Sequence, residues 1–172
     1  MVASDGYNAL KKNNNKNYKN ITMKKVLVAL SLLIAVVAGS SFTTAPESVN
    51  RNVLTAFNNS YVSAKDVSWE VKKDFVKATF AMEGKVFYAY YKQTGEQIAT
   101  TRNMITDELT ASLRNELRTK YEKNFWLIQL FEVVSNQENA YYASLTDGEK
   151  TIVYKTDGLS SWKEFSRKKI SE

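Results

Sequence analysis

The sequence predicts an α+β protein made of two related modules, each an amphipathic helix followed by β-strands. Two apolar stripes with helical spacing lie 60 residues apart, since Phe57 corresponds to Leu117 and Tyr61 to Tyr121. Each stripe precedes four strand-like runs that are separated by similar turns. The chain has 172 residues, of which 44% are apolar, and this is enough for one globular core.

Residues 23–45 have the layout of a secretory signal peptide. Lys24 and Lys25 precede an unbroken run of 13 apolar and small residues that ends at Ala38. A bilayer span needs roughly 20 residues, so we expect a cleaved signal rather than a retained anchor. The absence of cysteine excludes a lipoprotein anchor. We therefore expect export to the periplasm, with no stable membrane span after cleavage.

Residues 1–22 are rich in asparagine and lysine and show no apolar period. They precede Met23, which begins a complete signal peptide, so we interpret them as an upstream non-native or disordered extension. An unusually long n-region is the alternative. The mature part is then a single domain, residues 46–172, with modules at about 47–103 and 104–166.

The net charge of +6 does not indicate a nucleic-acid-binding protein. Residues 1–45 carry six lysines and one aspartate, a net charge of +5, which leaves 18 basic and 17 acidic residues from Pro46 onward. The body of the protein therefore has a net charge of +1 and lacks the excess that phosphate contacts require. We expect no nucleic-acid partner.

The chain contains neither cysteine nor histidine. This excludes disulfides, thiolate nucleophiles, the usual zinc sites and the Ser-His-Asp and Cys-His catalytic arrangements. The carboxylates are scattered, without the pairing that acid–base chemistry or calcium loops need. We therefore expect no catalytic residue, no metal and no cofactor. An enzyme that uses only Asp, Glu, Lys, Tyr or Ser is the least favoured function.

The first module begins with a helix near residues 48–61. Its apolar stripe recurs every fourth residue, at Val49, Val53, Phe57 and Tyr61. Strand-like runs follow near Asp66–Lys72, Phe75–Met82, Lys85–Lys92 and Gln97–Arg102. Glu83-Gly84 suits a tight hairpin with positive φ, and Gly95 marks the next turn. Trp69 alternates with Val67 and Val71, so we expect it in the core.

The second module repeats this arrangement after a helix near residues 107–122. Its stripe comprises Leu109, Leu113, Leu117 and Tyr121, with Thr106 or Asp107 as the N-cap. Strand-like runs lie near Trp126–Ser135, Asn139–Thr146, Lys150–Lys155 and Ser161–Phe165. Asp147-Gly148 and Gly158 mark turns, and we expect Arg167, Lys168 and Lys169 to form a short, frayed basic tail. We expect an internal duplication, an antiparallel meander in each module, and both helices on one side.

Several short motifs of the first module resemble the PepSY-like, β-lactamase-inhibitor-like family of periplasmic proteins. They are Val67-Ser68-Trp69-Glu70, the hairpin Glu83-Gly84-Lys85, and Tyr91-Lys92 leading to Gly95. The resemblance covers about residues 47–165, although Phe131 stands where the second copy should have tryptophan. It implies tandem modules that share one antiparallel sheet, with the helices on one face and the other face open. It also implies relatives that inhibit enzymes by gripping them with that face, and no catalytic residues to carry over.

Strand pairing predicts which side chains point away from the core. Pairing across Glu83-Gly84 puts Phe80 opposite Phe87 on the helix side, and the second hairpin directs Leu145 and Ile152 inward. Tyrosines are then left on the solvent side, where they are common interface residues. The alternative is that these rings merely cover neighbouring strands. The candidate partner-binding residues are Lys77, Thr79, Tyr88, Tyr90, Tyr142 and Val153.

These observations together predict an exported, non-enzymatic binding protein. We expect it to recognise a protein or peptide of the cell envelope through the open sheet face, in an inhibitor-like manner. The alternative is a periplasmic carrier that holds a small apolar ligand between the helices and the sheet.

Overall fold

The structure, a computed structural model, describes residues 48–121, 124–136 and 139–170. The expected extension and signal peptide lie outside these residues. The fold is α+β, with an eight-stranded antiparallel sheet whose strands follow one another in sequence order. The elements are α1 Arg51–Ser60, β1 Lys65–Val71, β2 Val76–Met82, β3 Lys85–Tyr91, β4 Gln97–Asn103, a 3₁₀ turn Thr106–Glu108, α2 Ala111–Tyr121, β5 Trp126–Val134, β6 Asn139–Thr146, β7 Lys150–Thr156 and β8 Lys163–Lys169.

The described residues form two compact units. The first unit comprises those up to Glu83 together with Tyr90–Ile98, and the second comprises Gly84–Ala89 together with those from Ala99 onward. A helix followed by four strands occurs twice in the chain order. The internal duplication and the placement of both helices on one face stay predictions.

Helix α1 confirms the first predicted helix, and it begins at Arg51. Asn50 is its N-cap, because the Asn50 side chain accepts a hydrogen bond of 2.9 Å from the N–H of Asn52. The predicted stripe faces the sheet: the ring centroid of Phe57 lies 5.0 Å from that of Trp69 on β1 and 5.1 Å from that of Phe80 on β2. Trp69 is buried, as predicted. These aromatic contacts form the core of the first unit.

The turns before and after β3 depend on two glycines. Glu83 and Gly84 have φ angles of 53° and 73°, so the predicted tight hairpin between β2 and β3 is confirmed. Gly95 has a φ of 90°, and a Cβ there would lie 2.8 Å from the backbone oxygen of Asn52. Glycine at this position therefore lets the turn between β3 and β4 lie directly against α1.

Helix α2 begins later than the sequence predicts. Thr106 and Asp107 belong to the 3₁₀ turn, so the prediction that one of them is the N-cap is wrong. Thr110 caps α2 instead: its Oγ1 accepts from the N–H of Leu113 at 3.4 Å and its carbonyl from that of Arg114 at 3.0 Å. The 3₁₀ turn is separate from α2, because the Glu108 side chain folds back and accepts a hydrogen bond from the N–H of Ile105.

The second core lies between α2 and strands β5–β7. The pairs Leu145↔Ile152 and Ala143↔Tyr154 confirm the predicted inward face of this hairpin. Trp162 lies in the same core, where its indole N–H donates to the carbonyl of Leu113 at 3.0 Å. The predicted stripe residues Leu109, Leu113 and Leu117 are buried, whereas the side chain of Tyr121 lies outside the described part.

Strand β8 differs from the prediction. The residues expected to fray continue the strand, which pairs as far as Lys150↔Lys169. A register shift between Val153 and Tyr154 marks a bulge in β8, where Phe165 is the extra residue. Its side chains are mostly charged and exposed, so backbone pairing rather than apolar burial holds it in place. Such charges are usual on an edge strand, where they oppose pairing with another chain.

Candidate binding surfaces

In the first unit, the sheet face opposite α1 carries Phe75, Lys77, Thr79 and Tyr90. The centroids of the Phe75 and Tyr90 rings are 5.8 Å apart. The Lys77 ammonium lies 3.3 Å from a carboxylate oxygen of Glu70 on β1. A hydrogen bond from Lys72, together with the charge of Lys77, holds the pKa of Glu70 below its ordinary value. This face therefore combines an aromatic pair with compensated charges.

In the second unit, three aromatic rings meet on the sheet face opposite α2. We call Phe131, Tyr142 and Phe165 the ring cluster. Phe131 and Tyr142 stack at a centroid distance of 5.3 Å, and Phe165 meets Tyr142 edge-on at 5.3 Å. The Lys155 ammonium lies 5.6 Å from the Tyr142 centroid and 5.8 Å from that of Phe165. The ammonium therefore adds a cation–π contact to the cluster.

The same face is apolar well beyond the ring cluster. Val133, Ala140 and Val153 lie on it and are buried. The hydroxyls of Thr101 and Ser144, also on this face, are buried and have no hydrogen-bond partner. An antiparallel sheet with one solvated face normally alternates apolar and polar residues. Here both faces of the second unit's sheet are apolar, although α2 packs on one face and not on the other.

The structure separates the six predicted site residues by their burial. Lys77, Thr79 and Tyr90 belong to the first unit, and Tyr88, Tyr142 and Val153 belong to the second. Solvent exposure was wrongly expected for four of them: the exposed fraction is 1% for Tyr142, 2% for Val153, 4% for Tyr90 and 9% for Lys77. Tyr88 and Thr79 are half-buried.

Neighbouring side chains contribute to the burial of Tyr142, Tyr90 and Lys77. The ring of Tyr142 lies between those of Phe131 and Phe165, Tyr90 contacts Phe75, and Lys77 is drawn down by its ion pair with Glu70. That the rings of Tyr142 and Tyr90 merely cover neighbouring strands stays the alternative. Whether any of the six residues binds a partner stays a prediction.

A network of ion pairs occupies another part of the second unit. Arg102 donates to Glu132 at 2.8 Å and to Glu108 at 2.9 Å, and Lys85 donates to Glu108 at 2.5 Å. Burial alone would raise the pKa of Glu108, but hydrogen bonds from Lys85, the Ile105 N–H and Arg102 outweigh it and lower that pKa. These charges compensate one another, which indicates a structural role. The sequence did not reveal the network, because its members come from separate segments.

Neither a metal cluster nor a membrane-spanning helix occurs within the described ranges. No group of three or more acidic residues converges there as a metal site would require. Likewise, no helix in those ranges is long and apolar enough to cross a membrane.

Comparison of the sequence with protein-family models gives no match, and comparison with curated proteins gives none either. Solved structures do match. A DUF2874 family protein from Bacteroides ovatus ATCC 8483 superposes with a TM-score of 0.59 at 18% identity, over 73% of this chain and 88% of its own. A BLIP-like protein from Bacteroides fragilis NCTC 9343 gives 0.59 at 11% identity, over 71% and 86%. A protein from Bacteroides eggerthii DSM 20697, proposed to be periplasmic, gives 0.59 at 14%, over 70% and 88%.

The chain shares the fold of these Bacteroides proteins. At such identities the likeness concerns the fold alone, and one of the matching structures is of a protein named BLIP-like. The PepSY-like part stays a prediction. None of the three proteins bears the name of an enzyme.

The start of β5 is an exposed apolar segment that is not among the predicted site residues. Trp126, Leu127 and Ile128 are consecutive and exposed, and the exposed fraction of Trp126 is 56%. A register shift between Leu127 and Gln129 interrupts the pairing of β5 with β6 at this point. Three successive apolar residues cannot all face one core in an alternating strand. This run of three apolar residues was the feature of the sequence that could have revealed the exposed segment.

Proposed function

We propose that the protein is an exported, non-enzymatic binding protein that recognises a protein or peptide partner through helix-free sheet surfaces. In the first unit this surface is the one with Lys77, Thr79 and Tyr90, and in the second it is the one with Tyr142 and Val153. Tyr88 lies two residues before Tyr90 in β3, and its ring is half-buried. The partner belongs to the cell envelope, because the signal peptide that begins at Met23 directs the chain to the periplasm.

The apolar sheet face opposite α2 carries this proposal. A face that water alone covered would show polar side chains, yet this one presents a ring cluster, aliphatic residues and two unpartnered hydroxyls. The half-buried ring of Phe165 is the part of the ring cluster that a partner can contact directly. The fold shared with a BLIP-like protein supports an inhibitor-like action on that partner.

Affinity capture from an envelope extract of the source organism tests the proposal. The bait is the full chain, compared with variants of the two half-buried rings, Phe165→Ala and Tyr88→Ala. We expect capture of the partner to weaken by about 2 kcal/mol in at least one variant, as for an interface hot spot. Leu159→Ala is the control, because Leu159 is an exposed apolar residue in a turn outside these surfaces. Unchanged capture by both ring variants, at wild-type stability, would exclude the sheet as the binding surface.

A carrier of a small, mainly apolar ligand is the second candidate. The observation that favours it is the hydroxyl of Tyr91, which is buried in the first unit without a hydrogen-bond partner. Burial, with a smaller contribution from Tyr61, raises the pKa of Tyr91 well above its ordinary value, so the hydroxyl remains a donor. A ligand beneath α1 could accept that hydrogen bond. Native mass spectrometry of the freshly purified chain would show such a ligand as a constant added mass.

A further inference from the structure

A depression beside the exposed end of β5 has the composition of a binding site. It has a volume of about 590 Å³ and is lined by Asn124, Phe125, Trp126, Asp147 and Glu149. The indole of Trp126 reaches the turn between β6 and β7, where a Cβ on Gly148 would lie 3.7 Å from it. The edge of the ring thus packs against the turn glycine, while 56% of the residue is exposed. Tryptophan is the residue type most often found as an anchor in interfaces.

The two carboxylates that line the depression, those of Asp147 and Glu149, differ in whether nearby groups compensate their charge. The carboxylate of Asp147 accepts hydrogen bonds from the N–H groups of Glu149 and Lys150 and pairs with the Lys150 ammonium at 2.9 Å. That ammonium also lies 5.4 Å from the centroid of the Phe125 ring. The charge of Asp147 is thus compensated within the turn.

Glu149 is different, because its exposed side chain makes no ion pair or hydrogen bond among the described residues. An unpaired carboxylate and an exposed indole therefore line the same depression. A guanidinium group matches this pair, since it stacks on an aromatic face and donates two parallel hydrogen bonds to a carboxylate. An ammonium group would satisfy the charge but could not make the flat contact.

We propose that the depression between Trp126 and the β6–β7 turn binds an arginine side chain presented by a protein partner. Trp126 supplies the stacking surface and Glu149 the carboxylate, while Leu127 and Ile128 contact apolar residues beside that arginine. The proposal rests on the proposed protein-binding function and adds the chemistry that the partner must present. Nothing in the sequence alone brought Trp126 and Glu149 together, because 22 residues separate them.

Titration of the full chain with short peptides, followed by NMR of the tryptophan indole N–H signals, tests this site. The probe is acetyl-Gly-Arg-Gly-amide, and its matched control carries citrulline, which keeps the shape of arginine without its charge. We expect the arginine peptide to shift the Trp126 signal in a saturable manner and to leave those of the buried Trp69 and Trp162 in place. An equal response to the citrulline peptide would overturn the proposal.

Two substitutions sharpen the test. Glu149→Gln should weaken binding of the arginine peptide by about threefold to tenfold, as loss of a charged partner does. Glu83→Gln is the matched control, since Glu83 is also an exposed glutamate beside a turn glycine, and it should bind as the wild type does. Equal binding by both variants would overturn the assignment of Glu149. Trp126-dependent binding of the chain to lipid vesicles, without binding of the arginine peptide, would assign the segment to a membrane surface instead.

This test is independent of partner capture. If a partner is captured in a Phe165-dependent manner and the arginine peptide does not bind, this inference fails while the proposed function stands. If the arginine peptide binds as expected and no partner depends on the sheet surfaces, the sheet-face proposal fails while the site stands.

Discussion

Tyr142 and Tyr88 have the same side chain, but the two residues differ in burial. Tyr142 is 1% exposed and lies between two rings, whereas Tyr88 is half-buried. We predict that Tyr142→Ala lowers the free energy of unfolding by about 3–5 kcal/mol, as for other large buried rings. Tyr88→Ala should cost less than about 1 kcal/mol.

Urea denaturation followed by circular dichroism would measure both values. Tyr142→Phe is the control, because it keeps the ring and its stacking on Phe131. A small effect of Tyr142→Ala, comparable with that of Tyr88→Ala, would show that Tyr142 is accessible and would restore it as a contact residue.

Asp147 makes the stability of the β6–β7 turn depend on pH. The side-chain hydrogen bond from Lys150, together with the backbone N–H groups of Lys150 and Glu149, lowers the pKa of Asp147 from 3.8 to about 2. A lowered pKa in the folded state means that the contribution to stability is fully present above pH 3.8. It is lost as the pH falls towards about 2.

We therefore predict that Asp147→Asn is less stable than the wild type near pH 5, and that the difference shrinks between about pH 4 and pH 2. Urea midpoints at several pH values would show this trend, and NMR titration would give the pKa of the carboxyl directly. Glu149→Gln is the control, since the Glu149 side chain makes no ion pair or hydrogen bond among the described residues. A wild-type advantage that persists unchanged to pH 2 would contradict the assigned hydrogen bonds.

At the scale of elements, a comparison of two turn glycines distinguishes the energetic cost of backbone strain from that of a steric clash. Gly84 and Gly95 both have positive φ, at 73° and 90°. A Cβ on Gly84 meets nothing within 4 Å, whereas one on Gly95 would lie 2.8 Å from the Asn52 backbone oxygen. Both substitutions by alanine incur strain, and only Gly95→Ala also pushes the turn away from α1.

We predict that Gly84→Ala destabilises the protein by about 1 kcal/mol and Gly95→Ala by roughly twice as much or more. Thermal and urea unfolding of the two variants would give the comparison. Equal losses would mean that the turn moves freely from α1 and that the contact with Asn52 contributes nothing.

The elements that the sequence predicted well are those that depend on local patterns. The stripe of α1 and the Glu83-Gly84 hairpin each follow from residues close together in the chain. The start of α2 was misplaced because Glu108 caps its own short turn, and β8 was cut short because only its pairing with β7 holds it. Both depend on hydrogen bonds that residue periodicity does not report.

The candidate site was harder to predict than the fold, for the same reason. Strand alternation assigns a side chain to a face, but it does not say what covers that face. Tyr142 is buried through contacts with Phe131 on β5 and Phe165 on β8, and the exposure of Trp126 depends on an irregularity in β5. Burial of a sheet residue is set by neighbours that are distant in sequence.

At the scale of the whole molecule, a common fold persists at 11–18% identity to the Bacteroides structures. This is physically reasonable, because the fold needs a periodic apolar pattern and a few turn residues rather than particular side chains. The same tolerance means that the partner cannot be read from the fold. The recognition that we propose would depend on individual surface residues, such as Glu149 and Trp126, which the fold does not constrain.

The distribution of charge over the whole chain leads to a last prediction. Residues 1–45 carry a net charge of +5 and the remaining residues a net charge of +1. Binding to DNA is driven by the release of counterions from phosphates, so it should come from the first segment alone. We predict that the full chain binds double-stranded DNA weakly and without sequence preference, with an affinity that falls steeply as salt increases. Replacing six lysines by glutamine should abolish this binding and its salt dependence: Lys11, Lys12, Lys16, Lys19, Lys24 and Lys25.

The matched control replaces lysines of the body by glutamine, at the exposed edge positions Lys163, Lys168 and Lys169. Fluorescence anisotropy with a labelled 20-base-pair duplex at several salt concentrations would measure both sets of variants. The body variant should bind as the wild type does, because its lysines are balanced by 17 acidic residues from Pro46 onward. If the body variant loses binding while the leader variant retains it, the basic edge strand β8 contacts phosphate, and nucleic acid must be considered as a partner of the folded domain.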